Sequence, residues 1–116
     1  RPVSVLQVHG TADATILYGG GTTAGAGTQY PGAVKTVTDW ATLNGCTGAL
    51  VDGGTPLDLD TAALGAETGR QRFACTSGAA ELWTMNGVGH IPNFSFVTPA
   101  WSNEVWNFLA AHPQSP

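Results

Sequence analysis

Residues 3–8 place the strongest constraint on the fold, because their valine and leucine side chains fall on both faces of an extended strand. A half-exposed strand alternates apolar and polar residues, whereas a strand inside a parallel sheet is apolar on both faces. We therefore expect residues 3–8 to form an interior strand with a neighbour on each side. The chain has 116 residues, which is enough for one domain with a buried core.

The segments that follow predict a loop and a helix. Residues 14–30 are rich in glycine and lack apolar periodicity, which predicts a mobile loop. A helix is expected to have Pro31 in its first turn and to run to about Leu43. The pair Asn44-Gly45 supplies the stop signal. Its apolar stripe is predicted to contain Val34, Val37 and Ala41.

The second half of the chain predicts a strand pair and a final helix. Residues 46–66 are expected to be irregular, and residues 68–74 and 80–85 to be strands on either side of a tight turn. Thr98-Pro99 is a helix start signal, and His112-Pro113 is the matching stop. This pattern predicts an α/β fold with too few strands for a complete sheet. We expect residues 1–116 to be a single partial domain, the C-terminal portion of a larger fold.

Two turns that follow strand-like segments carry an acid and a histidine. The first is His9-Gly10-Thr11-Ala12-Asp13, and the second is Gly87-Val88-Gly89-His90. An acid that accepts the Nδ1 proton of a histidine fixes its tautomer and stabilises the imidazolium. We predict that Asp13 is such an acid and His90 such a base, in the order found in α/β-hydrolases. The alternatives are an Asp13 that only caps turn amides and a purely structural His90.

Other residues have less direct links to chemistry. His9 is interpreted as structural, hydrogen-bonded within its turn, and His112 as a favourable cation at a helix end. Trp83 and Phe94 are predicted to line an acyl pocket near His90, and a sugar-stacking platform that includes Trp83 is the alternative. No Gly-x-Ser-x-Gly elbow occurs in the sequence, and Ser77 lacks the strand-to-helix context of one. A histidine–aspartate pair without a nucleophile activates water only weakly, so the chain alone is expected to be inactive.

Charge and length limit the partners. Four basic residues against eight acidic ones give a net charge of −4. This balance argues against binding to nucleic acid or to anionic lipid. No apolar stretch approaches the ~20 residues that span a bilayer. The start at Arg1, without methionine or a signal peptide, predicts processing or truncation upstream.

The cysteines and acidic residues argue against a metal site. Cys46 and Cys75 are either a free buried pair or a disulfide, and the lysine-poor, threonine- and glycine-rich composition of an exported protein favours the disulfide. Neither lies in a zinc-binding spacing. Asp58, Asp60 and Glu67 do not have the spacing of a calcium loop and are interpreted as solvated surface. We predict neither a metal nor a cofactor.

Several segments together resemble one enzyme family over nearly the whole chain and in matching order. They are His9-Gly10-Thr11-Ala12-Asp13, Asp39-Trp40-Ala41-Thr42-Leu43-Asn44-Gly45-Cys46, Glu67-Thr68, Cys75 and Gly87-Val88-Gly89-His90. The sequence is similar to the C-terminal part of the polyhydroxybutyrate depolymerase/feruloyl esterase family of secreted α/β-hydrolases. The resemblance implies Asp13 as triad acid, His90 as triad base and a Cys46–Cys75 disulfide. It also implies cleavage of esters, from feruloyl or acetyl groups on plant polysaccharide to polyhydroxyalkanoate chains.

These observations lead to two functional hypotheses. The first is the acid-and-histidine portion of a secreted serine esterase, with an ester as substrate and an absent N-terminal half as partner. Because residues 3–8 would otherwise lack a neighbour, association with that half or self-association is expected. The second hypothesis is a non-catalytic module that binds polysaccharide or another protein through its aromatic residues.

Overall fold

A computed structural model of the chain describes residues 1–94 and 100–114. These residues form a four-stranded mixed sheet, a separate two-stranded hairpin and two helices. Neither helix in these segments is long and apolar enough to cross a membrane. In chain order the elements are β1 (Val5–Gly10), β2 (Gly20–Thr22), β3 (Gln29–Pro31), α1 (Ala33–Leu43), β4 (Thr47–Leu57), β5 (Thr68–Ala74), β6 (Ala80–Met85) and α2 (Trp101–Ala111).

The sheet corrects the predicted fold class. Its strand order is β1-β6-β5-β4, and only β1 and β6 run parallel. The pairs β4–β5 and β5–β6 are antiparallel. A parallel pair needs a long crossover, and in this sheet only the connection from β1 to β6 contains a helix, α1. The domain is therefore a small mixed sheet with two short helices, and the predicted C-terminal half of an α/β-hydrolase is wrong.

The first strand occupies a different place from the one predicted. In the described part of the sheet, β1 is an edge strand with β6 as its only neighbour. Its residues are half-buried up to Gly10, which is buried. Apolar residues on both faces of β1 are explained by contacts with α1 on one side and with the cluster around Leu59 and Trp83 on the other. An edge strand whose two faces are covered by a helix and by loops therefore has the same apolar sequence pattern as an interior strand.

The predicted helix is confirmed as α1, but its predicted start at Pro31 is wrong. The helix ends at Leu43 as predicted, with Asn44 at the C-cap and Gly45 at φ 68°. Pro31 belongs instead to β3, which pairs with β2 inside the stretch predicted to be a loop. The helix begins only after Gly32, whose backbone is extended, with ψ 167°. Ala33, Val37 and Ala41 form its buried stripe, whereas Val34 is 46% exposed.

The second half of the chain shows one confirmed strand pair and one missed strand. The predicted strands at residues 68–74 and 80–85 are confirmed as β5 and β6. The region predicted to be irregular contains the 11-residue strand β4. Sequence reasoning misses β4 because it is a largely exposed edge strand with register shifts against β5 and few apolar side chains.

Two apolar clusters lie on opposite sides of the sheet. One joins α1 to β6 through Val37 and Leu82, and the other contains Leu59, Trp83 and Met85. The second cluster is covered in part by α2. The predicted helix end at His112 is confirmed as the C-cap of α2, whereas the predicted start signal at residues 98–99 lies outside the described residues.

The predicted disulfide is confirmed. Cys46 and Cys75 are bonded, with 4.2 Å between their Cα atoms. The bond joins the end of α1 to the turn between β5 and β6, next to the amino ends of the parallel strands. Asn44 holds the same region through its side chain, which accepts from the Val3 amide at 2.9 Å and donates to the Val3 carbonyl at 2.7 Å.

Candidate active site

The parallel pairing of β1 and β6 brings the two predicted turns to one edge of the sheet. Gly10 and Met85 are register partners at the carboxyl ends of these strands. Asp13 follows three residues after β1, and His90 follows five residues after β6. The structure places His90 Nδ1 2.9 Å from Asp13 Oδ2, although the residues are 77 positions apart. The turns can meet because both strands point the same way.

Backbone hydrogen bonds fasten the two turns to each other. The amide of Ala12 donates to the Val88 carbonyl at 3.0 Å, and the amide of Gly87 donates to Thr11 Oγ1 at 2.8 Å. A Cβ at Gly10 would lie 2.1 Å from the Val88 carbonyl oxygen, so a glycine is required for this approach. The approach of the two turns that carry Asp13 and His90 therefore depends on close contacts of their backbones and on the Thr11 hydroxyl.

The Asp13 carboxylate is buried and fully engaged. Its Oδ1 accepts the amides of Thr15 and Ile16, both at 2.8 Å, and its Oδ2 accepts from His90. Burial of the carboxyl raises its pKa. The hydrogen bond from His90 and the backbone amides of Ile16 and Thr15 lower the pKa, and together they outweigh burial. The net effect lowers the pKa of Asp13 from 3.8 to about 2. Asp13 caps turn amides as the alternative proposed, and it also contacts the histidine.

The contact with Asp13 sets the tautomer of His90. An ionised carboxylate only accepts hydrogen bonds, so Nδ1 of His90 carries a proton and donates it. In the neutral ring Nε2 then carries the lone pair, which is the form that a general base needs. The His90 side chain is 47% exposed, compared with 7% for Asp13. This arrangement suits a base that is oriented by Asp13 through Nδ1 and is accessible to a reactant at Nε2.

The glycines near His90 differ in what they contribute. Gly87 has φ 75°, a conformation that side chains resist, so glycine is required at this turn. Gly89 has no such φ, and a Cβ there would meet no atom within 4 Å. Only the first of the two glycines in this turn is needed for the backbone path that leads to His90.

A cleft of about 620 Å³ lies beside the pair, and we call it the His90 cleft. Its lining includes Phe94, as predicted, and Trp101, whose ring stacks on that of Phe94 with 4.2 Å between centroids. The cleft also runs along β1. Trp83 does not reach it: this residue is 2% exposed within the second apolar cluster, and its indole Nε1 donates to Glu81 at 3.3 Å. Trp83 therefore packs in the core, and its predicted place in the lining of this cleft is wrong.

Two carboxylates that were expected to be solvated are buried, and one of them holds the chain just beyond His90. Glu67 accepts the amides of Leu59 and Asp60. Asp60 in turn accepts the amide of Asn93 at 3.0 Å, just beyond His90 in the chain. The expectation of a solvated acidic surface is wrong for both residues, because Asp60 is 4% exposed and Glu67 is 6% exposed. The sequence does not mark these two carboxylates as buried, because residues that accept hydrogen bonds from loop amides follow no periodic pattern.

A metal site among the described residues or a match to a known protein would give a further clue to function. Within residues 1–94 and 100–114, no group of three or more histidine, cysteine, aspartate or glutamate side chains is arranged to hold a metal ion. Comparison with models of protein families, with curated protein sequences and with solved structures gave no match. The esterase resemblance therefore stays a prediction, and any function has to be argued from the site itself.

Proposed function

We propose that Asp13 and His90 are the acid and base of a serine-type hydrolase that cleaves carboxylic esters. In this proposal His90 Nε2 takes the proton of a serine hydroxyl as the oxygen attacks the ester carbonyl, and later returns it to the leaving alcohol. Asp13 holds the ring and stabilises the imidazolium that forms. The observation that carries the proposal is the 2.9 Å contact between His90 Nδ1 and the buried, low-pKa carboxylate of Asp13.

The surroundings of the pair support a reactant on the exposed side of His90. Nδ1 faces the protein, so Nε2 is on the side of the ring away from Asp13. The apolar rings of Phe94 and Trp101 lie in the same cleft and suit the acyl or alcohol part of an ester better than a charged substrate. The predicted substrates, feruloyl or acetyl polysaccharide esters and polyhydroxyalkanoate, remain part of this proposal.

The nucleophile in this proposal comes from polypeptide outside this sequence. No Gly-x-Ser-x-Gly segment occurs in the 116 residues. In the described part of the sheet β1 is an edge strand, and the His90 cleft runs along it. A segment that pairs with β1 would lie beside His90, and a second copy of this chain is the other candidate for that place. The disulfide is compatible with an extracellular protein, and we include secretion in the proposal.

The test uses the complete gene product that contains these residues. Hydrolysis of p-nitrophenyl acetate is measured for the unaltered protein and for the variants H90A and D13N. We expect kcat to fall by about 10³- to 10⁴-fold in both, because the base is removed in one and held in the wrong tautomer in the other. The control is H112A, which removes a histidine at the end of α2. It is expected to keep full activity.

A fluorophosphonate label then locates the nucleophile. Peptide mapping of the labelled protein is expected to place the adduct on a serine outside residues 1–116. An adduct on a serine within this sequence would contradict the claim that the nucleophile is supplied from elsewhere. Activity retained in H90A or D13N would overturn the assignment of the pair.

A further inference from the structure

We propose that His9 is a positioning residue that fixes the Asp13 carboxylate against His90. The proposal rests on the proposed function for its consequence in catalysis, but its structural part concerns the orientation of two side chains. His9 Nε2 lies 3.3 Å from Asp13 Oδ2, the same oxygen that accepts from His90. Two imidazoles therefore converge on one carboxylate oxygen from β1 and from the loop after β6.

The contacts of His9 define which nitrogen carries its proton. Nε2 lies 2.7 Å from the Ile16 carbonyl oxygen and 3.3 Å from Asp13 Oδ2. Both neighbours are acceptors, so Nε2 of His9 is protonated and donates. The shorter contact is the hydrogen bond, and the longer one is a close approach of the ring nitrogen to the carboxylate.

The link to Ile16 matters because Asp13 depends on an exposed loop. Oδ1 of Asp13 is held by the amides of Thr15 and Ile16, and both residues are exposed. Amides in a loose loop would hold the carboxylate loosely. By binding the carbonyl of Ile16, His9 ties this loop to strand β1 and so fixes the donors that fix Asp13.

His9 is itself well supported. Its side chain is 12% exposed, and its ring meets that of Tyr18 edge-on, with 5.6 Å between centroids. The hydroxyl of Tyr18 is hydrogen-bonded to Thr84 Oγ1 at 2.7 Å, and Thr84 is the register partner of His9 on β6. A chain of contacts thus runs from β6 through two rings to Asp13 and His90. Such networks hold a site in one geometry because each member is satisfied.

The test measures the tautomer of His90 in this chain. Long-range ¹H–¹⁵N NMR spectra distinguish Nδ1–H from Nε2–H imidazole through the carbon-bound ring protons. In the unaltered chain we expect the Nδ1–H form to dominate. In H9L, which lacks the donor, the ratio of Nδ1–H to Nε2–H at His90 is expected to fall about fivefold, the size expected for one hydrogen bond.

Matched variants separate the donated hydrogen bond from simple packing. H9Q supplies an amide N–H where Nε2 lies and is expected to restore the ratio. The control H112A removes a histidine at the end of α2 and is expected to leave the ratio unchanged. If H9L does not fold, H9N replaces it, because its shorter amide does not reach the Ile16 carbonyl.

Each outcome bears on one claim. An unchanged His90 ratio in the donor-free variant, or an equal loss in H9Q, overturns the positioning role of His9. D13A tests the pair itself and is expected to remove the preference for Nδ1–H. If D13A leaves the ratio unaltered, the Asp13–His90 pair and the proposed function fail. If only D13A changes the ratio, the pair stands and the inference about His9 fails.

Discussion

The two ends of the parallel strands β1 and β6 are held in different ways. At the amino end, the Cys46–Cys75 bond and the Asn44 side chain, which bridges Val3 and the Ala79 carbonyl, join three segments of chain. At the carboxyl end, loops are tied by backbone hydrogen bonds and by buried carboxylates, and the imidazole of His90 is half-exposed. The first end is closed by a covalent bond, and the second presents a half-exposed imidazole.

Stability and site geometry therefore have separate sources in this domain. A covalent bond at the amino end restricts the unfolded chain and so stabilises the folded state without touching His90. The carboxyl end owes its geometry to contacts that a small change in the backbone would break. Changes at the two ends should therefore have different signatures: a loss of stability alone at the amino end, and a loss of stability together with the pair at the carboxyl end.

The largest effect is expected from opening the amino end. Replacing both cysteines, C46S/C75S, removes a bond between residues separated by 29 positions. The chain-entropy estimate for such a loop gives a loss of about 3–4 kcal/mol in the free energy of unfolding. Urea denaturation of the unaltered and the double-serine chain measures it. In the fraction that stays folded, the His90 tautomer ratio should be unchanged, and a changed ratio would show that the ends are coupled.

A smaller loss of stability, with loss of the pair, is expected at the carboxyl end. G10A would bring a Cβ to 2.1 Å from the Val88 carbonyl oxygen and force the two loops apart. We expect a loss of about 2–3 kcal/mol and a changed His90 tautomer ratio. The control is G89A, where a Cβ meets no atom within 4 Å. It should change the free energy by less than about 0.5 kcal/mol, and equal losses in both would contradict the close approach at Gly10.

The smallest expected effect is the loss of stability at low pH that results from protonation of Asp13. The pKa of Asp13 is lowered from 3.8 to about 2 in the folded chain, so its ionisation stabilises the fold above about pH 3.8. This contribution is lost as the pH falls through about 2. Urea midpoints at pH 5 and pH 2 should therefore differ less in D13N than in the unaltered chain. D39N, which alters an exposed carboxylate paired with Lys35, is the control and should keep the full difference.

Prediction from sequence succeeded where local signals match the final environment. The strands β5 and β6 and the end of α1 were correct because turn and cap residues such as Asn44 mark them. The strand β4 was missed because an exposed, bulged strand lacks apolar alternation. The fold class was wrong because β1 has the apolar pattern of an interior strand, and in the described residues it lies at an edge.

The candidate site shows the same division. The turns that carry Asp13 and His90 were identified from glycines and strand ends, and the structure brings the two side chains together. Phe94 lies in the His90 cleft, and Trp83 does not. The supporting role of Asp60 was not predicted, because its partner Asn93 is 33 positions away and no local pattern joins them.

Local features of this protein follow from its amino-acid sequence. They include the C-terminal ends of the two helices and the residue types at the two turns, because cap and turn residues act on their immediate neighbours. Three further features follow from the fold: β1 is an edge strand of the described sheet, His9 and His90 lie against one carboxylate oxygen, and Trp83 belongs to the core. Strand order and burial depend on contacts between distant residues, so no short segment of sequence contains them.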